Sequence, residues 1–397
     1  MRKSVATPSV RVPSRPPRVL DALPAVRQKP SERVKAQDGR AHNRSLVLAT
    51  LYHRGAMSRA DLTRVCGLTA PTISALVADL EAEGLVADSG PLVGAGLRRG
   101  KPSSLVEIRD DAAVLVALDL SPSDCFRGAV TDLRGRVLAR AETPLGKASG
   151  AAAAALVEEL VAELLARAPR RVLGVGIASP GIVDDRGTVR QAGHLGWTEL
   201  PLTERLGARF GVPVHVGNDV NAAALAAWHF HDVRAQNLMV ITTEHGVGAG
   251  LIIGGELVEG EQFAAGEIGH ITVAEDGEPC VCGRSGCLDP LIDSGHLRRR
   301  LAAAPAAGRP AVLAEAGRAL GIVLAPIASV LNLNEVVVAG PADLLEGPFV
   351  EAAHAAVQAR TLHPISASVH IRVLSAYAEL TLLGGVCLVL AAELGVL

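Results

Sequence analysis

The chain has 397 residues, 49% hydrophobic and only 2% aromatic, with 39 Lys and Arg against 41 Asp and Glu, too long for one small core and too apolar to be disordered throughout. The near-neutral total hides an asymmetry: residues 1–105 carry 17 basic against 8 acidic side chains, leaving 22 against 33 in the remainder, so only the N-terminal portion suits a polyanion. Glutamates interrupt apolar stretches such as Ala151–Leu165, Leu382–Leu390 is too short for a bilayer, and Arg2 and Lys3 precede no apolar segment, so a soluble cytoplasmic protein without a membrane span is expected.

Residues 1–40 hold six prolines and no aromatic side chain, a composition that predicts a disordered basic arm, either a solvated tail or a source of non-specific phosphate attraction. A helical pattern starts near Asn43, with Leu46, Val47, Leu48, Leu51 and Tyr52 at helical spacing before Gly55. Ser58 is a good N-cap for a short helix ended by Gly67, and Thr69 caps a third helix with Pro71 in its first turn. There Ile73, Leu76, Val77 and Leu80 recur at i, i+3, i+4 and i+7, and Thr72, Ser74 and Ala75 face the other way. Two short helices across a glycine turn, then an extended segment from Gly84 and the basic run Leu97–Lys101, predict a winged helix-turn-helix over 41–108. Thr69, Thr72 and Ser74 would meet base edges, and Arg98, Arg99 and Lys101 the phosphates, of double-stranded DNA. A three-helix bundle used for protein contacts is the alternative.

From Ala113 strands and helices alternate. Strands are expected at Val114–Leu120, Gly128–Asp132, Arg136–Ala139, Val172–Ile177 and Val214–Val216, with helices at Ala151–Ala168 and Ala222–Trp228. A second set follows: strands Leu238–Thr242 and Leu251–Ile253 around a Gly-rich turn at 246–250, helices around 312–332, strand Glu335–Val338 and a final helix from Leu382. Two such sets indicate an α/β protein with two similar lobes, 109–235 and 236–397, the C-terminal helix completing the first.

Three motifs carry chemistry. His270, Cys280, Cys282 and Cys287, spaced H-x9-C-x-C-x4-C, offer the four N/S donors of a tetrahedral Zn2+ site that is structural because no position stays open, the alternative being chance cysteines on a surface loop. Asn218-Asp219 falls between a strand and a helix, at the sheet edge where α/β proteins bind ligands, and is equally suited to capping that helix. Gly246, Gly248 and Gly250 allow either backbone approach to a phosphate or a tight turn.

Together these segments resemble the ROK (repressor, open reading frame, kinase) family. The match rests on Ala265-Gly266-Glu267-Ile268-Gly269-His270 followed by Cys280-Val281-Cys282-Gly283-Arg284-Ser285-Gly286-Cys287-Leu288-Asp289. Asn218-Asp219, Leu195-Gly196-Trp197 and Ser179-Pro180-Gly181 stand in the family's order. The resemblance implies a duplicated actin-like ATPase (ribonuclease H-like) α/β core, assembled as a homodimer or homotetramer. With a winged helix-turn-helix in front, it implies a sugar-responsive transcriptional regulator of carbohydrate genes, acting as a repressor. It places Asn218, Asp219, Glu267 and His270 on the hydroxyls of a sugar or sugar-phosphate effector, with Asp289 where the family has the longer Glu.

The family's kinases open their core with Asp-x-Gly-Gly-Thr, whereas this chain reads Asp119-Leu120-Ser121-Pro122-Ser123. It also reads Ala339-Gly340-Pro341 for the adenosine-side Gly-Gly and Phe263 for a common Gly, so loss of ATP binding and a non-enzyme are expected. Two alternatives remain: an ATP-dependent hexose kinase with Asp219 as base, and a regulator whose effector is a partner protein.

Overall fold

The computed structural model describes residues 36–91, 104–231, 233, 235–375 and 377–397; Arg98, Arg99, Lys101 and the arm up to residue 35 lie outside them. The described chain opens with α1 (Ala36–Arg54), β1 (Met57–Ser58), α2 (Arg59–Cys66), α3 (Ala70–Ala82), β2 (Val86–Pro91) and β3 (Ser104–Ile108), a winged-helix unit with strand order β1-β3-β2. Helix α1 starts seven residues before Asn43 and takes in the last five residues of the expected arm. Arg40 in that extension and Arg44 one turn after it ion-pair with Asp79 of α3 and with Glu83 at its end. Exposed pairs contribute only about 0–1 kcal/mol, so the extension depends on the buried turns of Val47, Leu48 and Leu51 that follow it.

Ser58 accepts from the Asp61 N–H and Thr69 from the Thr72 N–H, capping α2 and α3, while Gly67 ends α2 in the left-handed conformation. Ile73, Leu76, Val77 and Leu80 are all buried, as one face of a helix packed on its neighbours requires.

The first lobe runs through β4 (Val114–Asp119), β5 (Cys125–Thr131), β6 (Val137–Pro144), α4 (Gly150–Arg167) and β7 (Val172–Ser179). A side sheet of β8 (Ile182–Val183), β9 (Thr188–Ala192) and β10 (Trp197–Pro201) follows, then α5 (Leu202–Phe210), β11 (Val214–Asn218) and α6 (Asp219–Phe230). The second lobe has β12 (Leu238–Thr242), β13 (Gly248–Ile253), β14 (Glu256–Leu257), α7 (Asp289–Ile292), α8 (Ser294–Ala303), α9 (Arg309–Leu331) and β15 (Glu335–Ala339). It ends with α10 (Ala342–Leu345), α11 (Pro348–Gln358), α12 (His363–Ser366), β16 (His370–Leu374) and α13 (Tyr377–Val389).

The two main sheets, β11-β7-β4-β5-β6 and β14-β13-β12-β15-β16, repeat one order. In each, the first strand runs antiparallel to the second and parallel to the fourth. The window Ala306–Leu331 around α9 has the length and hydropathy of a membrane span, but half of it is buried. Ala316, Leu320, Val323 and Leu324 of that helix share a core with Met239, Ile241, Val336 and Val338 of the second sheet.

The covering helices cross over between the lobes. Helix α6 follows the first sheet's last strand but packs on β12 and β13, whereas α13 ends the second lobe's chain and lies on β4, β7 and β11. A division at residue 235 therefore does not separate the two sheets with their coverings. Small residues permit the crossing: a Cβ on Gly176 of β7 would lie 1.8 Å from the Gly385 carbonyl, and one on Gly384 2.4 Å from the backbone of Ala222 in α6.

Gly176→Ala should therefore destabilise the protein by about 1–3 kcal/mol or more, because the clash is with backbone that no rotamer change relieves. Gly207→Ala in α5, where an added Cβ meets nothing nearer than 3.9 Å, should instead be neutral or stabilising by up to about 1 kcal/mol. Urea unfolding midpoints of the two variants separate these outcomes.

Candidate functional site

Both main sheets present the carboxyl ends of parallel strands to one region, the edge where open α/β sheets take ligands. Asp119, at the end of β4, is 3% exposed, and its Oδ1 accepts from the Ser121 backbone N–H at 2.9 Å and from the Ser121 hydroxyl at 2.6 Å. Asn218 ends β11 and caps α6 by accepting from the Val220 and Asn221 N–H groups, while its own Nδ2 donates to the Gly181 carbonyl at 2.9 Å and to Asp219 Oδ1 at 3.1 Å. Capping and ligand display are thus compatible at Asn218-Asp219.

Enclosure of its carboxylate, and then the nearby charge of Asp119, pushes Asp219 up to about 7; burial likewise pushes Asp119 up, against the two Ser121 hydrogen bonds. The next turn of α6 holds Asn221, 7% exposed, whose Oδ1 has no hydrogen-bond partner among the described residues.

Strand β13 ties this pair to the second lobe. An added Cβ on Gly248 would meet the Val220 side chain at 2.9 Å, and one on Gly250 would meet Ala224 Cβ at 2.5 Å and the Val220 carbonyl at 2.6 Å. Gly246 sits in the expected turn at φ +98°, whereas Gly248 and Gly250 are strand residues that let α6 rest on the sheet.

On the outer edge of β13 the Ala249 N–H donates to the Gly266 carbonyl at 2.8 Å, fixing the segment Ala265–His270. Glu267 is exposed there and His270 half-buried, with His270 Nε2 4.0 Å from Glu267 Oε2. Asp289 is 7% exposed and has one oxygen committed to the protein, accepting from the Val247 N–H at 2.8 Å, while Asp293 accepts from the Gly246 N–H at 3.2 Å. The first role of Asp289 is thus to hold the β12–β13 loop. Phe263, where the family commonly has Gly, sits in the left-handed region at φ +56°, a conformation costing about 1–2 kcal/mol that glycine adopts freely.

Three side chains for which the sequence predicts no role in the site belong to this region: Ser121 from the altered phosphate-loop segment, His245 beside the Gly-rich turn and His194 from no motif. Ser121 donates to the buried Asp119 and lies close enough to the half-buried Asp219 to lower its carboxyl, and His245 from the second lobe is near Asp119 and His194 of the first. None has a motif spacing of its own; only the juxtaposition of the two lobes reveals them. Leu195-Gly196-Trp197, by contrast, is architectural, with Trp197 Nε1 donating to the Gly150 carbonyl at the start of α4.

His270, Cys280, Cys282 and Cys287 come together with all their donor atoms within 4.8 Å of one another and could hold a metal ion. Cys280 Sγ lies 3.5 Å from His270 Nδ1 and Cys282 Sγ 3.7 Å from Cys287 Sγ. A turn at Gly283 returns the Cys280 N–H to the Arg284 carbonyl, and hydrogen bonds from the Arg284 backbone and side chain push the Cys282 thiol down to about 6. His270 thus offers Nδ1 to the cluster and Nε2 toward Glu267.

In the winged-helix unit, Thr69, Ser74 and Ala75 are exposed on α3, and Thr72 is half-buried with its hydroxyl 2.9 Å from that of Thr69. The acids around this helix are matched by cations: Asp79, Glu83 and Glu81 pair with Arg40, Arg44 and Arg59.

A model of the ROK family matches residues 121–392, and one of the MarR family residues 40–91. The xylose repressor of Caldicellulosiruptor bescii is 30% identical over 254 residues, 62% of each chain. The glucokinase of Halalkalibacterium halodurans is 34% identical over 175 residues, 42% of this chain and 52% of that one. The match thus spans about three fifths or less of the length of these relatives. A crystal structure described as a ROK family transcriptional regulator, homolog of the E. coli MLC protein, superposes with a TM-score of 0.79 at 22% identity, covering 90% of this chain and 97% of that one. The signature loop, the repeated sheets and the family model agree: the chain belongs to the ROK family and carries a MarR-type winged helix ahead of the family's core.

Proposed function

We propose that the protein is a sugar-responsive, DNA-binding repressor of carbohydrate-metabolism genes. The observation that carries this reading is the union, in one chain, of an N-terminal winged helix with a ROK core whose phosphate-loop position is filled. Where a kinase needs bare glycine backbone, Ser121 puts a hydroxyl on Asp119 and Pro122 removes a donor. The name of the relatives called xylose repressors supports carbohydrate genes as the target.

In this reading Asn218, Asp219, Glu267 and His270 receive the hydroxyls of a sugar or sugar phosphate across the cleft, and Asp289 positions the loop beside them. Asp219 accepts a hydrogen bond from a sugar hydroxyl, with no nucleotide present to make that hydroxyl a nucleophile. Helix α3 enters a major groove with Thr69, Thr72 and Ser74, and Arg98, Arg99 and Lys101 neutralise phosphates. Two such modules on a homodimer or homotetramer would match a palindrome.

Zinc suits the His270, Cys280, Cys282 and Cys287 donor set. A tetrahedral ion with Zn–S of about 2.3 Å and Zn–N of about 2.0–2.1 Å needs S···S near 3.8 Å and S···N near 3.6 Å. The spacings of 3.7 and 3.5 Å fit. With four protein ligands its role is to fix the loop that carries Glu267.

The kinase reading draws on Asp219, whose carboxyl near 7 suits a general base, and on the glucokinase relative. ATP-dependent phosphorylation of a hexose, lost in Asp219→Ala, would establish it; no turnover is expected.

Three outcomes test the proposal. Asp219→Asn should abolish sugar binding in calorimetry yet raise the melting temperature at pH 8, by roughly 2–4 °C for each kcal/mol relieved. The sign follows from the raised carboxyl: the folded state holds its proton more tightly than the unfolded one. The charged form therefore costs stability as pH rises through about 7, and the gain shrinks toward pH 4. Elemental analysis should give one zinc per chain, and retention of that zinc by Cys282→Ser would exclude the proposed ligand set. An Arg98/Arg99/Lys101 triple alanine variant should bind operator DNA more weakly, with a salt slope smaller by about 0.9 for each phosphate no longer neutralised; an unchanged slope removes the wing from the interface.

A further inference from the structure

We infer that α6 is a rigid strut coupling the sugar cleft to the DNA reader, and that the Tyr52–His53–His229 junction at its far end is where ligation of the cleft is transmitted to α1. This rests on the reading of the cleft as a sugar site and of α1–α3 as a DNA reader.

The two ends of one helix carry the case. Its N-terminus is Asn218-Asp219, already committed to the cleft, and its last two residues are His229 and Phe230. Twelve residues at about 1.5 Å each place these ends about 18 Å apart with no loop between them. At the far end the His229 ring stacks on Tyr52 with centroids 5.3 Å apart and meets His53 edge-on at 5.4 Å. Tyr52 and His53 belong to the last turn of α1. Phe230 packs edge-on against His229 and closes over the turn at Gly135.

The junction is fastened on every side. The Tyr52 hydroxyl donates to the Leu133 carbonyl at 2.7 Å, and Arg134 lies over the Tyr52 ring at 4.1 Å while donating to the Tyr52 carbonyl at 2.7 Å. His53 Nε2 donates to the Val396 carbonyl at 2.8 Å, and Gly395 beside it leaves room for Ser45 of α1. One continuous apolar cluster joins Val47, Leu48 and Leu51 of α1 with Leu115 and Ala117 of β4 and Val386, Val389 and Leu394 of the C-terminal region. Helix α1 is therefore seated on the core rather than tethered to it.

The strut itself cannot bend cheaply. Its middle is pinned between β13 through Gly250 and α13 through Gly384, contacts too close for side-chain adjustment, so a displacement at Asp219 moves the helix as a body. Burial, with His53 and Arg134 beside it, pushes His229 down to about 3, so the junction is held by neutral packing and not by an ion pair.

Hydrogen–deuterium exchange of the full chain with and without D-xylose, D-glucose or N-acetylglucosamine at saturating millimolar concentration tests the coupling. In the wild type, the sugar that protects 265–270 and the start of α6 should also change exchange over 47–55 and 390–397 by at least about fivefold, the lower end of allosteric coupling. His229→Ala should keep the first response and reduce the second below about twofold. His53→Gln, on the reader's side, should do the same with zinc content and melting temperature unchanged. Cleft protection without a response at 47–55 in the wild type, or an undiminished response in both variants, overturns the strut. No protection at 265–270 with any of the three sugars overturns the sugar reading itself, and the strut with it.

Discussion

The close seating of α6 and α13 on glycine is the constraint from which the rest of the core follows. A sheet covered by helices at ordinary distance would keep each lobe's helices to itself. Here Gly176, Gly384 and Gly250 bring backbone against backbone, so that each lobe is roofed by a helix whose chain belongs to the other. Interiors at native density transmit displacement rather than absorb it, and two lobes interleaved in this way move as coupled bodies about the crossing. The same close approach fixes the start of α6, and with it the position of Asp219 relative to β13 and the loop that carries Glu267 and His270.

Electrostatics gives the cleft a reason to respond to a polyhydroxyl ligand. Asp119 is buried and accepts from the Ser121 hydroxyl, and its charge adds to the enclosure that raises the Asp219 carboxyl. The amide oxygen of Asn221 nearby is unsatisfied. A buried polar atom left without a partner, as Asn221 Oδ1 is among the described residues, costs about 1–3 kcal/mol. If the cleft takes a polyhydroxyl ligand as proposed, a conformational response requires that ligand to stabilise one arrangement of the lobes more than the other.

Much of this was legible in the sequence because it was written in local rules. Ser58, Thr69, Gly67 and Pro71 each act within one helical turn, and the winged helix followed from them. The His270–Cys287 cluster was legible because a loop-bound tetrahedral site needs short cysteine spacings. What escaped was non-local. Gly246 is the turn residue the sequence suggested, but Gly248 and Gly250 read as part of that turn, whereas each lacks a Cβ against Val220 or Ala224, some 30 residues earlier. The extension of α1 to Ala36 was hidden for the same reason: Arg40 looks like the end of a solvated basic tail until Asp79 is placed beside it.

The charge asymmetry takes on a different meaning once these pairs are drawn. Of the cations that made the N-terminal portion look like a polyanion binder, Arg40, Arg44 and Arg59 spend their charge on the acids of α3 and its cap. They make the recognition helix approachable rather than attractive, by cancelling carboxylates that would otherwise repel phosphates within about a Debye length of 8–10 Å. Net charge is therefore a poor guide to the surface proposed to meet DNA, and the small, uncharged face of Thr69, Ser74 and Ala75 is the one the proposal rests on. Because α3 shares one core with α1, β4 and the C-terminal segment, the orientation of the winged helix is a property of the core's packing. A ligand that changes that packing need not touch the reader to change what it fits.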